Sequence, residues 1–386
     1  MNKWKEILLE DACDILTCGV ASTPKYVDEK EGVPFLSAQN VKDGQINLEK
    51  YNYVSKDFHE HLTKKNKPRK GDILYSRVGA KYGEAAIVDF DFEFSVYVSL
   101  TLIRPKSEIF NNEFFKYYLR SPIVKQKAKK SIKSSGVPNL NVKDVRGFNI
   151  PIPPLEEQQT IVAKLDQAFA AIDQAKANIE KNIANAKELF QSKLNQIFSQ
   201  NGDGWVEKTL EKTFKLKSGD GLTSKMMIQD GEYPVYGGNN IAGYYDKFNF
   251  EHGVIVGRVG ALCGNARFIN EKVWITDNAF KLTEFKYEFD FKFLSYLLNF
   301  KNLRSYARQA AQPVISNSSL KDVILNFPNS IETQQQIVNQ LDQLQEQTNL
   351  LVTKYQQKLA NLEELKKSIL EKAFKGELST AAIEKV

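Results

Sequence analysis

The chain has 386 residues, 42% of them hydrophobic and 26% charged, with a formal net charge of +6. That composition excludes collagen-like, low-complexity and disordered classes and leaves room for two or three domains with their own cores. No run approaches the roughly 20 apolar residues a membrane span requires. The opening MNKWKEILLEDACDI lacks the apolar core of a signal peptide, and Cys13, Cys18 and Cys263 give no pairing framework, so a cytoplasmic protein is expected.

Residues 1–153 are expected to form a first globular domain. They carry 25 Lys+Arg against 19 Asp+Glu, and Arg104 to Arg146 alone holds eleven basic and three acidic residues, an excess that fits a polyanion partner. DILYSRV, AAIVDF and VSLTLI are short apolar runs of strand type, while NEFFKYYLRSPIVKQKAKKSI has helical spacing broken at Pro122. Whether the strands pair parallel or antiparallel is open.

Residues 154–200 are expected to be a long spacer helix behind the stop at Pro151, Pro153 and Pro154. Its stripe runs Ile161, Leu165, Ala168, Ile172, Ala175, Ile179, Ile183, Ala186, Leu189. NGDG marks a turn into a second globular domain, residues 201–330, with strand-like GVIVGRV and KVWIT and helix-like FDFKFLSYLLNFKNLRSYARQA. Residues 331–386 form a second helix and a tail. Its stripe, Ile337, Leu341, Leu344, Thr348, Leu351, Tyr355, Leu359, Leu362, Leu365, is the first displaced by 176 residues. Such stripes make coiled-coil seams. Packed antiparallel, they would put one domain at each end of a rod.

The whole plan is an internal repeat. Trp4 is echoed by Trp205, VPFLSAQN by YPVYGGNN, and GDILYSRVGAKYG by HGVIVGRVGALCG, which puts Arg77 on Arg258. Asn141–Val145 falls on Ser319–Val323, and PIPPLEEQQTIVAKLDQ returns as SIETQQQIVNQLDQ. The fold class that results is mixed α/β (α+β): tandem globular domains separated by two long antiparallel coiled-coil helices, with a pseudo-two-fold repeat.

Catalytic equipment is scarce. There is no G-x-x-x-x-G-K-[ST] phosphate loop, and GAKYG and GALCG have the wrong spacing for a dinucleotide site, reading instead as tight turns. His59 and His61 lack partners for a metal set and are expected to face solvent; no metal site is expected. Asp72 and Glu84 flank the first glycine turn without equivalents in the second half. A binding protein is indicated. Lys116, Arg120, Lys125, Lys127, Lys129, Lys130 and Lys133, with KKNKPRK from Lys64, can track a phosphate backbone. The polar loops KSSGVPNLN and AAQPVISNSS can pair with base edges.

On these residues the chain resembles the specificity subunits of type I restriction–modification enzymes, over nearly its whole length. The marks are the Ile150–Asp166 line and its copy, the two glycine segments, YPVYGGNN, WITDNAF and AFKGEL; the second copy departs, reading NFPNSIETQQQ. The resemblance implies two target recognition domains, each reading one half of a bipartite asymmetric DNA sequence. The helices would set the spacing and dock two modification (methyltransferase) subunits, with restriction subunits of translocase and nuclease activity joining them. This chain would be non-catalytic and hold no cofactor, S-adenosylmethionine, ATP and Mg belonging to the partners. The competing reading is a coiled-coil scaffold without DNA contact. Expected DNA-binding residues are Arg77, Lys81, Tyr82, Lys127, Lys130, Lys133, Ser134, Ser135 and Asn139 in the first domain. In the second they are Asn239, Asn240, Arg258, Asn278, Gln312 and Asn317. The expected helix-pair seam is Ile161, Leu165, Ile172, Ile179, Ile337, Leu341, Leu344, Leu351 and Leu359.

Overall fold

Two helices of 44 residues each, Leu155–Phe198 and Ile331–Phe374, carry the architecture. The computed structural model describes residues 4–20, 24–132, 136–200, 202–238, 240–260, 262–308 and 312–378. The chain divides into two compact units, Met1–Ile179 with Gln357–Val386, and Glu180–Gln356. Each unit thus combines a globular part with half of each long helix, where the sequence suggested domains ending at the helix starts.

In the first unit, an antiparallel sheet runs in the order Cys13–Cys18, Leu100–Pro105, Ile73–Ser76, Ala85–Ile87. A smaller sheet pairs Gly32–Leu36 antiparallel with Asn52–Ser55 and parallel with Ser95–Val96. The first strand, Lys5–Leu8, pairs with Asn149–Ile152 immediately before the helix. Helix Asn112–Arg120 buries Phe114, Phe115, Tyr117, Tyr118 and Leu119. Ser121 ends that helix and caps the next, Pro122–Ser131, accepting from the Val124 N–H, so the break falls where Pro122 predicts it. The core continues onto the long helices through Ile161, Leu165, Ile172 and Phe374, whose ring stands edge-on to Phe114 and Tyr118. Here the helices run antiparallel: Asp173 pairs with Lys366 and Lys176 with Glu363.

In the second unit one six-stranded sheet runs Lys215–Ser218, Ala279–Thr283, Phe250–Gly257, Ala266–Ile275, Tyr233–Tyr236, Ile241–Tyr245. Within this sheet, among the described residues, only the Tyr233–Tyr236 pairing with Ala266–Ile275 is parallel, matching the parallel pairing of Gly32–Leu36 with Ser95–Val96 in the first unit. Trp205–Thr209 pairs with Ile324–Pro328 before the second long helix. Leu194, Ile197 and Phe198 join Ile337, Val338 and Leu341 in this unit's core. Helix Phe291–Phe300 stops early because Asn302 takes a left-handed φ of 47°.

The repeated line is a latch. Gln158, fully buried, donates to the carbonyls of Ile109 and Pro153 and accepts from the Asn111 N–H. Gln334 donates to Glu288 and Pro328 and accepts from the Asp290 N–H. Asn111 and Asp290 in turn cap the domain helices. Eight residues on, Asp166 accepts from the Tyr117 hydroxyl, and Asp342 from that of Tyr296. Each motif fixes the start of a long helix to its own domain, with every polar group of the buried amides satisfied.

Three expectations are corrected. The seam holds at Ile161, Leu165, Ile172, Ile337 and Leu341, which are buried, and weakens at Ile179, Leu344 and Leu359, which are half-buried. Leu351 is 40% exposed, and Leu189 61%, because steps of three and four drift from the 3.6-residue turn over a long helix. Backbone bonds also shift one repeat match by three residues. Leu140 N–H donates to Arg77 and Phe148 accepts from Leu9, as Ile315 donates to Arg258 and Val323 accepts from Leu210. Asn141 therefore corresponds to Ser316, each capping a short helix. Finally, His59 is buried with its Nδ1 2.8 Å from Ser95 Oγ, not solvent-facing. The three cysteines are free, and among the described residues no helix is long and apolar enough to cross a membrane.

Candidate nucleic-acid interface

The glycine turns are the same object built twice. In the first, Tyr82 N–H donates to Gly79 O (3.1 Å) and Gly83 N–H to Ser76 O (2.8 Å). In the second, Cys263 donates to Gly260 (3.0 Å) and Gly264 to Gly257 (2.7 Å). Gly79 and Gly260 have φ of 95° and 91°, Gly83 and Gly264 of 87° and 85°, a backbone only glycine adopts cheaply. Each turn is tied to a second loop: Gly79 N–H donates to Pro138 O (2.9 Å) and Gly260 N–H to Pro313 O (3.0 Å). A single ladder bridge, Val78 with Asn139 and Val259 with Val314, completes each pair.

Arg77 and Arg258 sit beneath these turns. The Arg77 guanidinium is buried and donates to Asn139 Oδ1 (3.1 Å) and Leu140 O (2.9 Å), bracing the second loop. Arg258 donates to Ser218 Oγ (3.3 Å) and Asp277 O (3.4 Å), over the Phe280 ring. These contacts brace loops; neither arginine is spread on the surface. Tyr82 is half-buried against the core, and Asn317 donates to Leu216 O. Asn278 is exposed, its carbonyl accepting from the Arg258 N–H. Asn240 accepts from Arg267 at 3.5 Å. Asn40 of the SAQN stretch is buried and spent on the Asn47 and Lys50 carbonyls.

The expected basic tracks divide similarly. Lys116 pairs with Glu113, Arg120 with Glu84, Lys67 with Glu93 and Lys70 with Asp91. Lys127 turns towards Asn149 O. Asp72 is buried in an ion pair with Arg104 (2.7 Å), so Asp72 and Glu84 are structural partners of arginines. No group of three or more His, Cys, Asp or Glu that could hold a metal occurs among the described residues.

Lys64, Lys65 and Arg69 stay exposed, and further exposed side chains stand at the two turns. Lys81 is exposed at the first tip, and Val137, 68% exposed, stands one residue before Pro138 on the facing loop. Leu262 is 43% exposed at the second tip, and Gln312 stands one residue before Pro313. Lys125 borders the first turn beside Gly83, with Lys129 and Lys130 exposed further along its helix. Arg304 lies against Gly264, and Arg308 N–H bonds to Val314 O. Lys133, Ser134, Ser135 and Asn239 lie outside the described residues. Val137, Leu262, Arg304 and Arg308 are absent from the sequence-based set; the GAKYG/GALCG register, which sets Lys81 against Leu262, was the signal for one of them.

The chain matches the family described as type I restriction modification DNA specificity domain, over residues 1–185 and again over 202–361. It is 27% identical over 207 residues to the EcoBI specificity subunit of Escherichia coli, a match covering 51% of this chain but only 43% of that protein. To the StySPI specificity subunit of Salmonella potsdam it is 25% identical over 391 residues, covering 90% of this chain and 82% of the relative. The chain therefore spans under half of the first relative and most of the second. A solved chain from work on complex assembly and conformational transition of the type I R-M system superposes with a TM-score of 0.78 at 20% identity, covering 97% of this chain and 98% of that one. That last likeness is one of fold.

Proposed function

The chain belongs to the family of type I restriction modification DNA specificity domains, and we propose that it supplies the DNA address of a type I restriction–modification complex. Each unit reads one half of a bipartite asymmetric sequence. The long helices set the count of unread base pairs and dock two modification subunits; restriction subunits join through these. The chain carries no catalytic step and no cofactor of its own: S-adenosylmethionine, ATP and Mg act in the partners.

The observation that carries this reading is the pair of glycine turns with one backbone frame and different exposed side chains, with the Lys125 side chain bordering the first and the exposed Arg304 packing its backbone against the second. Cations can hold phosphates in register while the tips meet base edges. A scaffold without DNA contact has no use for that arrangement. The test is adenine-methylation mapping of host DNA with this chain co-expressed beside its modification subunit, against the modification subunit alone. A bipartite motif appearing only with this chain is expected. No new methylation, with both proteins soluble and co-purifying, would overturn the reading.

A further inference from the structure

We infer that base specificity in each unit is written at a two-residue tip: Lys81 with Val137 in the first, Leu262 with Gln312 in the second. The inference rests on the proposed DNA-reading function and names where that reading is done.

Three observations converge. The frame beneath the tips is shared, since the Gly–Pro bonds that join the two loops are 2.9 Å and 3.0 Å, and the φ values at Gly79 and Gly260 differ by only a few degrees. A frame that constant delivers its two outermost side chains to equivalent points. Those four side chains are exposed, and Val137 is the most exposed large apolar residue among those described, which burial within the unit does not explain. Lastly, the chemistry is exchanged between the units. The first puts its polar residue on the glycine turn and its apolar one on the facing loop; the second does the reverse.

One donor and one aliphatic group, carried on two loops joined backbone to backbone, match what a base pair presents in the major groove. Gln312 has the bidentate geometry for adenine, Lys81 donates to guanine O6 and N7, and Val137 and Leu262 meet thymine methyls. Arg77 acts one layer below as a positioning residue, because its guanidinium holds the facing loop at Asn139 and Leu140. Arg258 meets its facing loop through its backbone carbonyl, which accepts from the Ile315 N–H, while its guanidinium bonds Ser218 and Asp277.

The test is the methylation motif of the assembled complex carrying Lys81→Ala, Val137→Ala, Leu262→Ala or Gln312→Ala singly. The first two are expected to relax the first half-site at one position each, by roughly tenfold in methylation preference, and the last two the second half-site likewise. The double exchange Lys81→Leu with Val137→Gln is expected to change the first half-site and leave the second as it was. An unchanged motif in all variants overturns the inference, as does relaxation of both half-sites by one variant. Failure of a variant complex to assemble also overturns it, because exposed tip side chains would then be holding the fold. If the unaltered chain directs no bipartite motif, the functional reading itself falls; an intact motif with indifferent variants sinks only the tip assignment.

Discussion

The two units agree where hydrogen bonds decide the backbone and differ where side chains meet solvent. Gln158 and Gln334 make the same three bonds, and Asp166 and Asp342 hold the same domain tyrosine. Above that shared frame, the first unit places a basic helix, Pro122–Ser131, beside its turn, where the second places the short 3-10 segment Leu303–Tyr306. A repeat can therefore keep its architecture fixed and vary its surface freely, because the latch lies at the opposite end of the energy scale from an exposed tip. Buried, satisfied amides are costly to alter, whereas exposed side chains change at little cost.

The comparison is broken most severely at the helix ends. Phe198 packs against Phe293 and Phe300, and Phe374 stands edge-on to Phe114 and Tyr118, all at 5.2–5.6 Å. Phe198→Ala and Phe374→Ala should each cost about 3–5 kcal/mol, measured by denaturant unfolding, with hydrogen exchange rising in the unit that holds the ring. Next, Gln158→Ala and Gln334→Ala should each cost about 1–3 kcal/mol by leaving buried N–H and C=O groups unpaired. Equal costs would sharpen the equivalence; a cost in one unit only would break it.

Glycine offers a finer contrast. A Cβ at Gly264 would lie 2.4 Å from the Arg304 backbone nitrogen, whereas at Gly83 the nearest atom is 3.8 Å away. Gly264→Ala should therefore disrupt the second turn, and Gly83→Ala should cost only about 1 kcal/mol of left-handed strain, read from thermal unfolding. The smallest effect belongs to the first unit alone. Burial of His59 lowers its pKa below the ordinary 6.5, although Glu93 opposes the shift. The unfolded chain then binds the proton more readily, so stability should fall as pH drops below about 6.5. His59→Gln should flatten that dependence; an unchanged pH profile would discard this source.

The sequence made the repeat legible because Gln158, Asp166 and their copies make the same hydrogen bonds and are the same residues. The strands and the Pro122 break were equally plain. The seam at Leu189 and Leu351 misled, since a stripe read in whole steps ignores helical drift. The Lys-Asp match near Asn141 misled because Lys143 and Lys321 are exposed, so likeness there constrains nothing. Residue type pointed to Arg77 and Arg258, whose guanidinium groups turn inward, Arg77 to Asn139 and Leu140 and Arg258 to Ser218 and Asp277. The exposure of Val137 and Leu262 was not legible, because an aliphatic residue reads as core until its exposure is known.

The most direct test of two independent readers on one frame is equilibrium binding of the assembled complex to duplexes with one half-site scrambled at a time. Scrambling either half should weaken binding by at least about a hundredfold at fixed salt, given roughly 1–3 kcal/mol per mismatched pair. A complex carrying Leu262→Ala with Gln312→Ala should lose most of its sensitivity to the second scramble alone. Indifference to one scrambled half, or a second-unit variant that blunts discrimination at both halves, would contradict the account.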